Sequence, residues 1–137
     1  MAEAEEREWK QAAHQARFEA PDTVWMKLQG PISYETLTWI VSLFRELGSQ
    51  RAFIVVAHVS ESTDIDAEGR RYASEHLEPE WFVAIIYIGA RLIHRAAAQG
   101  IGLVYALLGK KTSPVYFVSS EAEARDLIAR LRANPPA

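Results

Sequence analysis

The sequence predicts an α/β domain built on a mixed β-sheet of about five strands, with about four helices packed mainly on one face. Residues 52–57, 81–88 and 115–118 are almost wholly apolar and rich in β-branched side chains, which is typical of buried strands. Segments whose apolar residues recur at helical spacing separate these runs. The predicted order is β-β-α-β-α-β-α-β-α, with right-handed crossovers that place the crossover helices on one side of the sheet.

The N-terminal elements are predicted from local patterns. Residues 1–13 are rich in helix-forming side chains but have little apolar anchoring beyond Trp9, so we expect a flexible or loosely docked helical extension. Apolar and polar residues alternate at 14–19 and again at 23–28, which predicts two strands. The short turn at Pro21 joins them as an antiparallel hairpin.

The later elements alternate between helix and strand. The first helix begins after Ser33, and a capping box formed by Ser120 and Glu123 begins the last one. The polar stretch 58–66 is predicted to be a loop. The predicted helices run from Ser33 to Gly48, from 67 to 76, from 90 to 108 and from Ser120 to 134.

Composition limits the function classes. The chain has 137 residues, the usual length of one domain, and its 49% of hydrophobic residues exclude general disorder. It contains no cysteine, which excludes disulfides, thiolate metal sites and cysteine nucleophiles. A net charge of −3 argues against binding to nucleic acid. The acidic beginning and the lack of a long uncharged apolar stretch predict a cytoplasmic protein with no transmembrane segment.

Charge is distributed unevenly along the chain. Seven acidic and two basic residues lie between positions 60 and 80, whereas 81–120 contains four basic residues and no acidic one. We therefore expect an electrically polarised domain whose acidic side surrounds the second helix. Two solvated surfaces of opposite sign are the ordinary explanation of such runs.

Five segments, in this order along the chain, carry a resemblance to a known family. They are VWMKLQGPIS (24–33), FIVVAHV (53–59), DIDAEG (64–69), AIIYIGAR (84–91) and PVYFVSSEAEA (114–124). Together with the element order, they resemble the STAS domain, in particular its SpoIIAA-like group of small bacterial proteins, which is related to the SEC14 fold. The resemblance covers roughly 14–132 and implies a single STAS-like domain over 14–134.

The resemblance implies a non-enzymatic regulatory protein-interaction module. In the anti-sigma factor antagonists of this family, a partner kinase phosphorylates a serine or threonine at the start of the second helix and so breaks the complex. The family's Asp-Ser-Ser-Gly-like motif falls on 66–69, with Ala67 and Glu68 at the two serine positions. Ala67 cannot be phosphorylated, and Glu68 carries a permanent charge near the helix N-terminus. The chain therefore resembles an antagonist that lacks the usual phospho-acceptor. Its partner surface is then either locked in one state or controlled through Ser60, Ser62 or Thr63 in the preceding loop.

An acidic partner surface is expected on 58–72, the loop and the second helix, because the C-terminal edge of a parallel sheet commonly binds ligands and partners. The expected partner is a kinase-like anti-sigma factor or another signalling protein. Asp64 or Asp66 is also expected to cap the second helix, and the serines to satisfy loop backbone groups. The predicted partner-binding residues are Ser60, Ser62, Thr63, Asp64, Asp66, Glu68 and Arg70.

Two other segments offer candidate sites. A strand-to-helix turn at Gly89, Ala90 and Arg91 is suited to an anion, although a tight turn explains the glycine equally well. Helix 90–108 is apolar on nearly every side, so it is either packed in the core, a homodimer contact, or the wall of a cavity for an apolar or lipid-like ligand. The last alternative would make the protein a carrier or sensor. The residues expected in a dimer or ligand contact are Ile93, Ala97, Ile101 and Val104.

The sequence predicts neither a cofactor nor a metal site, because its four histidines lack the spacing of metal ligands. His58, Ser60 and a nearby aspartate suggest a small hydrolase as a further hypothesis. The sequence lacks the strand-elbow-helix turn that presents a nucleophilic serine, so we predict that the protein is not an enzyme.

Overall fold

One mixed sheet of six strands organises the described part of the chain. The structure is a computed structural model and describes residues 7–90 and 113–134. The strands are β1 (Glu8–Gln11), β2 (His14–Glu19), β3 (Thr23–Ile32), β4 (Phe53–Ile65), β5 (Phe82–Ile88) and β6 (Val115–Val118). The described helices are α1 (Tyr34–Gly48), α2 (Ala67–His76) and α3 (Glu121–Ala133), with a 3-10 turn at Pro79–Trp81.

The six strands lie side by side in chain order. β1, β2 and β3 pair antiparallel, which confirms the predicted hairpin between β2 and β3. β3, β4, β5 and β6 pair parallel, which confirms the side-by-side arrangement of the three apolar runs. The predicted mixed α/β architecture is therefore confirmed, with one more strand than expected.

Both faces of the sheet are covered, and alternation along the strands divides the core in two. In β4, Val55 and Ala57 pack with α1, whereas Ile54 and Val56 pack with α3 on the opposite face. α1 also contacts α2, so two of the three described helices share one side of the sheet. On that side the rings of Phe44, Phe53 and Phe82 pack edge to face, with centroids 5.4 to 5.5 Å apart.

Side-chain caps begin the described helices where the sequence predicts them. Ser33 Oγ accepts a hydrogen bond from the Thr36 amide at 3.1 Å at the start of α1. Ser120 Oγ accepts one from the Glu123 amide at 3.1 Å. The Glu123 carboxylate in turn accepts a hydrogen bond from the Ser119 amide at 2.7 Å. In a usual capping box this second hydrogen bond comes from the amide of the N-cap residue itself, so here the donor is one residue earlier.

The N-terminal prediction is wrong for residues 8–11, which form β1 and not a helix. Residues 8–11 pair with 14–17 through a tight reversal at Ala12, which has a φ of 53°. Trp9 packs against the core on the side of α1. The backbone hydrogen bonds between β1 and β2 outweigh the local preference of these residues for helix, because tertiary contacts override helix propensity.

The predicted loop at 58–66 is also wrong, because β4 continues as a strand to Ile65. β3 likewise does not end at Leu28 but runs to Ile32, and it supplies the partner for this extension. Two register shifts, one of them next to Pro31, accommodate the missing proline N–H. The predicted helix 90–108, with Arg91, Ile93, Ala97, Ile101 and Val104, lies outside the described residues.

A buried histidine ties β2 to the irregular part of β3. His14 is 2% exposed, and its Nδ1 accepts a hydrogen bond from the Gln29 amide at 3.1 Å. Its Nε2 therefore carries the proton and donates to the Pro31 carbonyl at 3.2 Å. Burial lowers the pKa of His14, more than the bond to Pro31 raises it. The neutral ring is thus part of the folded state.

Acidification should therefore destabilise the fold through His14. Below the ordinary histidine pKa of about 6.5, the unfolded chain binds a proton at His14 more readily than the folded chain does. The free energy of unfolding therefore decreases as the pH is lowered. The substitution His14→Gln should flatten this slope just below pH 6.5, measured by urea titration at several pH values. Equal slopes in the wild type and the variant would contradict this role of His14.

Candidate functional site

The candidate site begins where β4 extends beyond its neighbour β5. Pairing with β5 ends at His58, whereas pairing with β3 continues to Ile65. The second half of β4 therefore has one edge bonded to β3 and no paired strand at its other edge among the described residues. Thr63 and Asp64 are exposed there. The Glu61 carboxylate accepts a hydrogen bond from Gln29 Nε2 at 2.7 Å, which fixes the side chain at the base of this extension.

The start of α2 adjoins this extension directly. The Asp66 amide donates to the Ile32 carbonyl at 2.9 Å, which joins the end of β4 to the end of β3. The Asp66 carboxylate accepts a hydrogen bond from the Gly69 amide at 2.7 Å and caps α2. The predicted cap is thus Asp66, not Asp64. Glu68 is exposed in the first turn, where its charge favours the helix dipole.

Gly69 lets α2 approach the first turn of α1. A Cβ atom at this position would lie 2.6 Å from Leu37 Cδ1 and 3.1 Å from the Tyr34 Cα atom. The second distance involves backbone, which cannot move away without separating the two helices. The glycine at the end of the 66–69 motif is therefore required by packing.

An aromatic component of this surface was not predicted from the sequence. Tyr34 is 40% exposed, and its ring meets that of Tyr72 edge to face at 5.7 Å between centroids. Tyr72 in turn stacks on His76 at 4.0 Å. An aromatic residue directly after the Ser33 cap on an exposed helix end was the available signal, because tyrosine is enriched in protein interfaces.

We use the name α2 surface for the exposed residues brought together at this place: Tyr34, Thr63, Asp64, Asp66, Glu68 and Arg70. Ser60 is exposed nearby on β4. Ser62 departs from the prediction, because it is 1% exposed and its hydroxyl donates to the Val59 carbonyl at 2.8 Å. Its position in a paired strand turns it inward, so its side chain is not part of the α2 surface.

Gly89, in the turn after β5, continues the hydrogen bonding of the sheet. Gly89 has a φ of 70°, and its amide donates to the Val118 carbonyl at 3.1 Å. That amide is therefore already bonded and is not offered to an anion. A Cβ atom at Gly89 would lie 2.8 Å from Ser60 Cβ, so close packing on β4 also requires the glycine. Of the predicted anion site, Gly89 and Ala90 are described, and Arg91 is not.

The hydrolase hypothesis has weak geometric support. Ser60 Oγ lies 3.5 Å from His58 Nδ1, at the outer limit of a hydrogen bond. Within 7–90 and 113–134, no carboxylate is bonded to His58, and the Asp66 carboxylate is engaged by Gly69. A nucleophile and a base without an orienting third group do not make the arrangement that activates a serine.

An apolar cavity of about 130 Å³ lies between the sheet and the helices α1 and α2. Its walls come from both helices and from β3, β4 and β5, and Arg70 is the only charged residue among the described residues that line it. Tyr87 lines it and stacks on Phe117 at 5.6 Å between centroids. Burial raises the pKa of Tyr87, so its hydroxyl remains neutral.

Neither a metal site nor a membrane span is found in the described part of the chain. No group of three or more histidine, aspartate or glutamate residues there is arranged to hold a metal ion. No helix within those residues is long and apolar enough to cross a membrane.

The sheet order and the capped helix after a long central strand define a mixed α/β domain with the STAS, or SpoIIAA-like, fold. Solved structures agree. The anti-sigma factor antagonist SpoIIAA in its unphosphorylated form superposes with a TM-score of 0.57 at 15% identity, over 85% of this chain and 98% of that one. The Bacillus cell fate determinant SpoIIAA in the phosphorylated form gives 0.60 at 17%, over 85% and 99%.

A third structure extends the likeness to another group of proteins. A DUF3478 family protein with a SpoIIAA-like fold from Shewanella loihica PV-4 gives a TM-score of 0.56 at 13% identity, over 93% of this chain and 98% of that one. No protein-family model matches the sequence. No curated protein matches it either. At these identities, the likeness concerns the fold.

The packing of Gly69 can be tested by substitution. Gly69→Ala should lower the free energy of unfolding by up to about 2 kcal/mol, because overpacking costs about 1–3 kcal/mol and the better helix propensity of alanine returns about 1 kcal/mol. Glu75→Ala, at an exposed position of α2, should change it by less than about 0.5 kcal/mol. Urea denaturation measures both, and a Gly69→Ala variant more stable than the wild type would refute the close approach.

Proposed function

We propose that this protein is a regulatory protein-interaction module that binds a partner through the α2 surface, similar to an anti-sigma factor antagonist but without the usual phospho-acceptor. The observation that carries the proposal is the arrangement at the start of α2. Asp66 and Gly69 keep the cap and the close helix packing, while Ala67 and Glu68 occupy the exposed positions between them.

The chemistry of the α2 surface supports a protein partner. Asp64 and Glu68 are exposed and form no ion pair with any described residue, so their charges are available to basic groups of a partner. Tyr34 supplies an exposed aromatic ring beside them. An aromatic group surrounded by polar and charged residues is typical of a protein interface.

The fixed charge at Glu68 supports a constitutive interaction. A phosphoserine adds a charge of about −1.5 to −2 at neutral pH, and removing it restores the uncharged state. Ala67 has no hydroxyl to modify, and Glu68 places a carboxylate in the first turn of α2, near the positive end of the helix dipole. The two motif positions at the start of α2 therefore have no phospho-acceptor, and the occupancy of the partner follows its concentration and not a phosphorylation cycle at this helix.

Site-specific crosslinking can locate the interface. A photoreactive residue at position 68 should give a discrete adduct in cells that express the protein, because this position lies in the proposed contact. The same residue at position 126, exposed on α3 at the other face of the sheet, is the matched control. Mass spectrometry would identify the adduct. Equal crosslinking at both positions would contradict the proposal.

Charge reversal then tests the energetics with the purified partner. Glu68→Arg should weaken binding at least about tenfold, which corresponds to about 1.4 kcal/mol, because it replaces attraction with repulsion at the contact. Asp126→Arg changes the net charge equally and should leave the affinity within about twofold. Isothermal titration calorimetry measures both, and an equal loss in the two variants would indicate only a general charge effect.

The apolar cavity supports a second candidate function, the binding of a small apolar molecule. Its volume of about 130 Å³ compares with the cavity of roughly 150 Å³ in an engineered protein that binds benzene. The cavity is therefore large enough for one aromatic ring but not for a long acyl chain. This cavity therefore favours small ligands, whereas the carrier or sensor hypothesis for helix 90–108 concerns residues outside the described ones.

A cavity-filling variant tests this candidate. Toluene at saturation should raise the melting temperature of the wild type, because a ligand that binds only the folded state stabilises it. Ala73→Leu places extra carbons in the cavity wall and should remove the shift. A shift of the same size in both proteins, or none in the wild type, would exclude the cavity as a ligand site.

A further inference from the structure

The first strand of the sheet, β1, has one edge bonded to β2 and an outer edge that pairs with no strand in the described part of the chain. Two side-chain contacts hold β1 against α1. Arg7 donates a hydrogen bond to the Glu46 carboxylate at 3.2 Å. The Thr36 hydroxyl donates one to Gln11 Oε1 at 2.7 Å. The outer edge therefore belongs to a strand whose position is already fixed by contacts at both of its ends.

The pairing of β1 with β2 determines which backbone groups of β1 point to the outer edge. The Phe18 amide donates to the Arg7 carbonyl at 2.8 Å, and the next residue of β1, Glu8, lies opposite Arg17. This pattern makes the pair of Glu8 and Arg17 a non-hydrogen-bonded one, and in an antiparallel ladder such pairs alternate with hydrogen-bonded ones. The amide and carbonyl groups of Glu8 and Lys10 therefore point away from β2.

The two residues with outward backbone groups carry opposite charges. Glu8 and Lys10 are both exposed, and because they are two positions apart in a strand, their side chains share one face of the sheet. Neither forms an ion pair with any residue that the structure describes. Trp9 lies between them on the opposite face, where its half-buried ring is 4.8 Å from the Arg7 guanidinium carbon. The edge thus presents an acid, an aromatic ring and a base in consecutive positions.

This charge pattern is complementary to a second copy of itself. When two β1 strands pair antiparallel through their outer edges with Trp9 on the two-fold axis, Glu8 of each copy lies opposite Lys10 of the other. Each of these two pairs also exchanges two backbone hydrogen bonds. Sliding one strand by two residues keeps the same backbone groups facing each other, but it places Glu8 opposite Glu8 or Lys10 opposite Lys10. Like charges directly opposite each other are destabilising, so the charges select the first register.

We propose that the protein forms a symmetric dimer through β1, in which the sheets of two copies join into one continuous sheet. The same edge serves both copies, as a two-fold interface requires. The two pairs of Glu8 and Lys10 lie on one face of the joined sheet. The two Trp9 side chains meet on the other face at a closely spaced non-hydrogen-bonded position, and aromatic cross-strand pairs are stabilising. This interface is separate from the α2 surface and independent of the proposed function.

Charge-swap variants of the full chain test the dimer and its register. In sedimentation equilibrium, the average mass of the wild type should rise with concentration towards that of a dimer. Glu8→Lys and Lys10→Glu should each raise the dimer Kd at least about tenfold, because each variant turns two attractive pairs into two repulsive ones. An equimolar mixture of the two variants should form a heterodimer with a Kd close to that of the wild type, because unlike charges again lie opposite each other.

Two exposed positions away from the edge provide matched controls. Glu75→Lys on α2 and Lys27→Glu on β3 make the same changes of charge and should alter the Kd less than about twofold. Each swap changes the net charge of −3 by two units, so both edge variants remain negatively charged and their mixture gains no general attraction. The proposal is overturned if the wild type stays monomeric up to about 1 mM. It is also overturned if the edge variants weaken the dimer no more than the controls do.

Cysteine crosslinking reads the register directly. The chain contains no cysteine, so a single introduced thiol can form a disulfide only with another copy. Opposite residues of a hydrogen-bonded antiparallel pair have Cα atoms about 5.5 Å apart, which a disulfide can span. Oxidation of an equimolar mixture of Glu8→Cys and Lys10→Cys should therefore yield mainly disulfides between positions 8 and 10, identified by mass spectrometry of the joined peptides. A predominance of disulfides between equal positions would contradict the proposed register.

Discussion

The parallel pairing of β4 with β3 on one side and β5 on the other is the interaction on which the rest of the structure depends. The first half of β4 is buried on both faces, with Val55 facing α1 and Val56 facing α3. Each face therefore obtains its apolar core from alternate residues of the same strand. A polar side chain at either position would leave one helix layer without its contact, at a cost of several kcal/mol.

The same strand also creates the candidate site. Past His58 it loses β5 but keeps β3, so its second half projects from the sheet and ends at Asp66, which caps α2. The exposed carboxylates are held by a strand and a helix start, and not by a mobile loop. Gly69 then brings α2 against α1 and so places Tyr34 beside those carboxylates.

The sequence predicted the features that depend on local chemistry. The apolar runs, the caps at Ser33 and Ser120 and the bounds of α2 need only nearby residues, and all are confirmed. β1 and the extension of β4 depend on a partner strand distant in sequence, and no local pattern reveals it. Ser62 was misplaced for this reason, because an exposed loop serine and a buried strand serine look alike in a sequence. The role of Tyr34 required knowing which helix end approaches α2.

The two faces of the sheet carry side chains of opposite charge. On the side of α1 and α2, unpaired carboxylates adjoin an exposed tyrosine. On the other side, Lys10 and Lys27 lie on the same face of the sheet as Trp25, whose ring packs 4.4 Å from the Arg125 guanidinium. Because β3 carries Trp25 and also pairs with the β4 extension, one strand supports both surfaces.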